Sequence, residues 1–172
     1  HDEVVHGKKS LLDKFSGEYN EKFETFKSFY SYMIAHPGKK MLFMGSEYGQ
    51  FSEWNYEKEL EWFMTDFDRH RELRDFVMQI NHFYLKNSEF WENDFSWQGF
   101  QWIVSDDNEQ NIIAFERINL SGERIICVIN FSPVERNSYR IGTTKSGEYE
   151  IIFSTDSNVV NSLIKTEDKE MH

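Results

Sequence analysis

Lys40-Met41-Leu42-Phe43-Met44-Gly45 is a short, unbroken apolar run, with Pro37-Gly38 before it and the turn residues Gly45-Ser46 closing it. Apolar residues without alternation predict a strand covered on both faces, as in a parallel sheet. Two helical stretches flank the run. Over 19–35, Tyr19, Phe23, Phe26, Tyr30 and Met33 recur at spacings of three and four and define one helix face. Ser16-Gly17 precedes this stretch and Pro37-Gly38 stops it. Over 69–87, Leu73, Phe76, Val77, Ile80, Phe83 and Tyr84 form a second apolar stripe. Residues 46–68, rich in Glu, Trp, Asn and Tyr, read as a long loop with a short helical turn, of the kind that carries function in compact domains. One strand and two amphipathic helices cannot close a core, because the strand's backbone donors and acceptors would have no partners. The pattern requires more strands, and a (β/α) architecture with its earlier strands upstream of residue 1 satisfies it.

After about residue 93 the pattern changes. Phe100–Val104, Ile112–Arg117, Arg124–Asn130, Tyr139–Ile141 and Tyr149–Phe153 are short apolar or alternating runs. Turn clusters separate them: Asp106-Asp107-Asn108, Asn119-Leu120-Ser121-Gly122 and Ser146-Gly147. This is the grammar of an antiparallel meander or sandwich. From Ser154 onward the chain turns polar and reads as a solvated loop or tail through Lys165-Thr166-Glu167-Asp168-Lys169-Glu170. The fold class is therefore α/β followed by all-β, with residues 1–93 as the C-terminal remnant of a (β/α)-type domain and 94–172 as an antiparallel β-meander or sandwich.

Composition narrows the partners. The 172 residues include 30 acidic and 19 basic side chains, a net charge of −11. A nucleic-acid partner is disfavoured, because phosphates need a basic face; a neutral polar ligand such as a sugar meets no such objection. Aromatic residues make up 17% of the chain, enough for a dense core. The single cysteine, Cys127, stands in the apolar run Ile125–Ile129 and reads as a buried thiol. No apolar stretch approaches the ~18 residues of a membrane span, and no signal-peptide pattern opens the chain. The expectation is no membrane partner and a reduced, cytoplasmic setting.

In a (β/α) barrel, reactive groups lie at the C-terminal ends of strands. Two stretches fit: His1-Asp2, if a strand precedes them, and Gly45-Ser46-Glu47-Tyr48-Gly49-Gln50, directly after the 40–45 run. Both offer a carboxylate, and paired carboxylates on a barrel rim are what glycoside chemistry uses. Solvated caps and a frayed terminus are the ordinary alternatives for such residues. Trp54 in the polar loop could stack on a sugar ring, whereas Trp62, Trp91, Trp97 and Trp102 read as packing residues. His70 and His82 read as surface or packing histidines. Asp106-Asp107-Asn108-Glu109 lacks the glycine and spaced acid of a calcium loop and reads as a turn. No metal-binding cluster, phosphate loop or Ser-His-Asp order is present.

The stretch His1-Asp2-Glu3-Val4-Val5-His6-Gly7-Lys8-Lys9-Ser10 resembles the motif after the seventh barrel strand of glycogen (1,4-α-glucan) branching enzymes, members of the α-amylase superfamily. His36–Gly45 is similar to their eighth strand and its approach. Glu47-Tyr48-Gly49-Gln50 and Glu53-Trp54-Asn55 are similar to the loop that follows. Phe100-Gln101-Trp102-Ile103, Asn130-Phe131-Ser132-Pro133-Val134 and Ser154-Thr155-Asp156-Ser157 are similar to that family's C-terminal domain. The resemblance runs from residue 1 to about 157 in one register.

The resemblance implies the C-terminal part of a (β/α)8 TIM barrel followed by a β-sandwich that lacks its last strands. It makes Asp2 the third catalytic carboxylate, which grips sugar hydroxyls and favours the oxocarbenium-like transition state. His1 becomes its partner on the same sugar. By their place in these loops His6, Lys8, Glu47, Gln50 and Trp54 read as substrate-side residues, with loop structure for His6 and Lys8 and backbone or cation pairing for Glu47 as the ordinary alternatives. The family's nucleophile and acid/base lie on earlier strands, so the implied partners are an α-glucan and the missing N-terminal barrel half of the same enzyme, with no cofactor and no metal. The chain alone is then expected to be inactive. A non-catalytic glucan-binding or interaction module is the alternative, and a trehalose- or debranching-type relative is a third possibility within the superfamily.

Overall fold

The computed structural model describes residues 3–155 and, for the backbone, 162–167. The chain divides into two compact units, one drawing on the chain up to Tyr30 and on Lys39–Phe83, the other on Ser31–Gly38 and the chain from Tyr84 on.

Two helices dominate the first half: α1 (Tyr19–Ala35) and α2 (Asp68–Lys86). At the start of α1 the Glu18 N–H donates to Glu21 Oε2 at 2.8 Å, which satisfies a donor the helix cannot reach. Gly17, at φ 98°, makes the turn into this helix; a Cβ there would lie 2.5 Å from the Glu21 carboxylate. In the first unit, Phe23, Phe26 and Tyr30 of α1 are buried, as are His70, Leu73, Phe76, Val77 and Ile80 of α2. Tyr30 Oη donates to Asn81 Oδ1 at 2.9 Å, so the one polar group on this α1 face meets a partner on α2. Both stripes are those the 3.6-residue period marks, except that Tyr19 stays largely exposed.

The expected strand over 40–45 does not form. Residues 39–43 carry no regular structure, and the chain turns at Gly45 (φ 80°) into a single 3₁₀ turn, Ser46–Tyr48. A strand exists only as one member of a pair, and no neighbouring strand offers a ladder here among the described residues. Met41 and Met44 are accordingly 60% and 54% exposed.

The second unit contains one five-stranded antiparallel sheet, built from β1 (Phe100–Asp107), β2 (Ile112–Ile118), β3 (Arg124–Asn130), β4 (Glu148–Ser154) and β5 (Ser162–Glu167). The spatial order is β1-β2-β3-β5-β4. This is the all-β, antiparallel arrangement expected after residue 93. Two expectations are corrected. Residues 162–167, read from their charges as part of a solvated tail, form β5 and pair on both sides, Ile164 opposite Ile126 of β3 and Ile151 of β4. Pairing on two edges satisfies the backbone and outweighs the polar composition. Conversely, Tyr139–Ile141 is not a strand, although Tyr139 and Ile141 both pack on the cluster of Ile112, Ala114, Ile126 and Val128. Alternation marks the right inward positions, but this segment joins no strand ladder among the described residues. Tyr139 Oη instead donates to Asp107 Oδ2 at 2.7 Å, which holds the Asp107 carboxyl below its usual range.

The opposite face of β2 and β3 holds Phe115 against Phe100 and Trp102, with Tyr32 and His36 from the end of α1 and beyond. On this face Arg117 is wholly buried. Its guanidinium donates to the carbonyls of Ala35 (2.7 Å) and Phe90 (3.0 Å) and, at a longer 3.4 Å, Gly99, and to Asp94 Oδ1 at 2.6 Å. The other Asp94 oxygen accepts from the Gly38 N–H at 3.0 Å. Gly99 itself has no room for a side chain, since a Cβ would fall 1.9 Å from the Asn93 carbonyl oxygen.

Arg117→Leu is expected to lower unfolding stability by about 3–5 kcal/mol, the range for removing one partner of a buried ion pair. Urea denaturation measures it, and a loss under 1 kcal/mol would show that the carbonyls and Asp94 find other partners. Gly99→Ala is expected to cost about 1–3 kcal/mol through forced backbone movement, read from the same midpoint shift.

Candidate functional site

The loops nominated by the sequence lie in the first unit. His1 and Asp2 fall outside the described residues. Directly after them, Val4 and Val5 are buried, His6 to Lys9 are exposed, and Ser10 is buried again, so an exposed turn is held at both ends. The turn has an unusual backbone: His6 (φ 61°), Gly7 (φ 80°) and Lys9 (φ 70°) are all in the left-handed region. Only Gly7 enters that region without steric penalty. Such a backbone gathers successive N–H groups on one side, a concavity that binds anions.

The anion is Glu53, from the loop after the 40–45 segment. Its Oε1 accepts from the Gly7 N–H at 2.8 Å and its Oε2 from the Lys9 N–H at 2.9 Å. The Gly7 N–H above all, helped by the Lys9 and Lys8 amides and by His6, holds the Glu53 carboxyl below its ordinary value. The sign follows directly: the clasp is fully present above the ordinary glutamate pKa and is lost as pH falls through the depressed one. Lys8 pairs with Glu3 at 3.2 Å, and its carbonyl accepts from Lys14 Nζ at 2.7 Å. His6 is exposed beside them.

The second loop is fixed from inside. Gly45 takes φ 80°, and a Cβ on it would lie 2.9 Å from Gln50 Oε1. Gln50 is buried; its oxygen accepts from Tyr48 Oη and from the Glu61 N–H, each at 3.0 Å, while its amide donates to the Ser52 carbonyl at 3.2 Å. Both ends of this side chain are therefore engaged within the loop. Tyr48 is fully buried, and burial, reinforced by the charges of Glu47 and Glu61, pushes its hydroxyl up to about 12. Its carbonyl lies 2.8 Å from Nδ1 of the buried His70. Ser52 Oγ donates to Glu61 Oε1 at 2.7 Å. Around these groups a polar cleft of about 100 Å³ is lined by Gln50, Ser52, Glu53, Asn55, Lys58 and Glu61. Trp54 packs edge-on against Phe43, with ring centroids 5.3 Å apart.

The structure thus brings the His6–Lys8 turn and the Gln50–Trp54 loop together through Glu53, a residue not nominated from the sequence. Its signal was present only as a glycine in a polar turn and a glutamate in a polar loop, and nothing in their spacing couples them. Glu47 is half-buried on the 3₁₀ turn between Gly45 and Gly49. The four tryptophans expected to pack are more exposed than expected: Trp62, Trp91 and Trp102 are about half exposed and Trp97 is 96% exposed. Among the described residues no group of three or more His, Cys, Asp or Glu side chains is placed to hold a metal ion, and no helix is long and apolar enough to cross a membrane.

Known proteins match this chain over most of its length. Residues 102–172 match the family described as alpha amylase, C-terminal all-beta domain. The chain is 50% identical over 157 residues to the 1,4-alpha-glucan branching enzyme GlgB of Halothermothrix orenii, an alignment covering 91% of the chain and 25% of that protein. It is 49% identical to 1,4-alpha-glucan branching enzyme GlgB 1 of Clostridium perfringens strain SM101, covering 91% and 23%, and 45% identical to the Aquifex aeolicus protein of the same description, covering 91% and 25%. The chain spans about a quarter of the length of these relatives. The chain thus shares about half its residues, over nine-tenths of its length, with part of these 1,4-alpha-glucan branching enzymes, and is similar from residue 102 on to the alpha amylase C-terminal all-beta domain.

Proposed function

We propose that this chain contributes the last part of a (β/α)8 barrel, residues 1–93, and the following β-sandwich domain, residues 94–172, to a cytoplasmic 1,4-α-glucan branching enzyme. The observation that carries this reading is the near 50% identity to branching enzymes over 91% of the chain. The exposed methionines of the 40–45 segment agree with it, because the side chains of a barrel strand are covered on both faces by the rest of the barrel. The reaction is transfer of a cleaved α-1,4 glucan to a 6-hydroxyl, giving an α-1,6 branch. Asp2 acts as the carboxylate that holds sugar hydroxyls and stabilises the oxocarbenium-like transition state, with His1 hydrogen-bonded to the same sugar. His6, Lys8, Glu47 and Trp54 stand on the substrate side, and Gln50 acts through the loop whose hydrogen bonds it completes. The nucleophile and acid/base come from the N-terminal barrel half of the same enzyme.

A second reading is favoured by one observation. Phe95 and Trp97 are 81% and 96% exposed beside a half-exposed Trp91, and exposed rings of this kind stack on sugars. In that reading the β unit binds glucan without catalysing its transfer.

The purified 172-residue chain is expected to leave the amylose–iodine absorbance unchanged, whereas joining it to the remaining three quarters of the Halothermothrix orenii relative should give a branching activity. In that chimera Asp2→Asn is expected to lower kcat by about 10²-fold or more, the scale of losing a group aimed at developing transition-state charge. Turnover by the chain alone, or an Asp2→Asn chimera within threefold of its parent, overturns the assignment. For the second reading, retardation of the chain in an amylose-containing gel should vanish in Trp97→Ala; equal mobility with and without amylose removes it.

A further inference from the structure

We propose that Glu53 is a positioning residue for glucan transfer: its carboxylate, clasped by the Gly7 and Lys9 N–H groups, fixes the turn that follows His1-Asp2. This inference rests on the reading of the chain as part of a branching enzyme.

His6 and Lys9 are not glycines, yet both take left-handed angles, on either side of a left-handed Gly7. Each such residue is disfavoured by roughly 1–2 kcal/mol relative to right-handed backbone, and conformations of this kind persist only where surrounding contacts over-determine them. Three contacts do so here. Val4 and Val5 are buried on one side, Ser10 is buried on the other, and the N–H groups between converge on Glu53. Hydrogen bonds from two backbone donors to one carboxylate are charge-assisted, short and directional, so they fix orientation as well as distance.

The second step is chain length. Gly7 follows Asp2 by five positions, and two of the intervening residues are the buried valines. So short a tether transmits displacement of the turn to the carboxylate at its start, and a misplacement of about 1 Å near reacting groups can lower rates about 10²-fold. Glu53 touches neither substrate nor reacting atoms in this account. It acts through the turn, and it also couples that turn to the loop carrying Gln50 and Trp54, since Glu53 and Gln50 line one cleft.

Chemistry selects the carboxylate. A glutamine at 53 keeps one acceptor oxygen but sets its NH₂ against the other backbone N–H, a donor facing a donor. An aspartate keeps both acceptors on a shorter arm.

Two measurements test the proposal. In the 172-residue chain, Glu53→Gln should speed hydrogen exchange at the Gly7 and Lys9 amides at least tenfold while the amides of α1 and α2 stay within twofold; unchanged exchange at Gly7 and Lys9 overturns the clasp. In the chimera with the Halothermothrix orenii relative, Glu53→Gln should lower kcat at least tenfold with KM within threefold and the thermal midpoint within a few degrees, and Glu53→Asp should recover part of that loss. A kcat within twofold of the parent, or kcat and midpoint falling together without recovery by aspartate, overturns the positioning role. A folded parent chimera that branches no glucan overturns the proposed function and this consequence of it, while the exchange experiment still decides whether Glu53 holds the turn. A chimera that does not fold leaves the decision to exchange alone, with the same two outcomes.

Discussion

The second unit depends on one buried cation. Arg117 leaves β2 with its guanidinium wholly removed from water and its donors directed at three carbonyls and a carboxylate. Burying an isolated charge is among the largest penalties a fold can carry, so every donor must find an acceptor. The acceptors are instructive. Ala35 ends α1, where the last carbonyls of a helix have no partner of their own. Phe90 and Gly99 lie in 3₁₀ turns of the connection between α2 and β1, where regular ladders are absent. Asp94 passes the interaction on to the Gly38 N–H, just after the end of α1. A single side chain thus completes backbone groups that no helix or strand could satisfy. The same crowding leaves Gly99 no space for a Cβ.

Glu53 answers the same problem with the opposite charge. Arg117 collects carbonyls where irregular segments present oxygens; Glu53 collects N–H groups where the His6–Lys9 turn presents donors. The two differ in surroundings. Arg117 is buried, so its loss leaves an uncompensated Asp94 in low dielectric and acts on global stability. Glu53 is half-buried against an exposed turn whose amides water can reach, so its effect is local geometry rather than global stability. Helices and strands are the reliable part of a fold; the loops that carry chemistry need ionised side chains to hold their backbones in place.

The period of the helices was plain in the sequence because α1 and α2 each repeat an apolar stripe with clear stop signals, and both form within a residue of where the period places them. The strands β1 to β4 were legible from alternation and turn residues. β5 was not, because Lys165, Thr166 and Glu167 look like solvent-facing tail until β3 and β4 are known to flank them. The 40–45 run failed in the reverse way: its hydrophobicity is that of a strand, but strand formation belongs to the pair and not to the segment. For the site, the positions of the loops could be read, because turn residues follow the apolar run, but not what holds them. The sequence places Gln50 after the run as a polar side chain on the substrate side, and what it does not show is that both amide atoms are engaged within the same loop. Glu53 carries no signal in the sequence because its partners are backbone amides more than forty positions away, and backbone groups leave no mark in a sequence.

The charge balance gains a physical reading from these details. A net charge of −11 suits a neutral ligand, yet a transition state with developing positive charge also gains from nearby carboxylates. A carboxylate can serve that purpose only if it is not spent elsewhere. Glu53 is spent on two amides and Glu61 on Ser52 through one of its oxygens, and Glu3 pairs with Lys8. Glu47 is half-buried on its 3₁₀ turn, and its charge acts on the hydroxyls of Tyr30 and Tyr48. Of the acids in these two loops, those with assigned backbone or lysine partners are the scaffold.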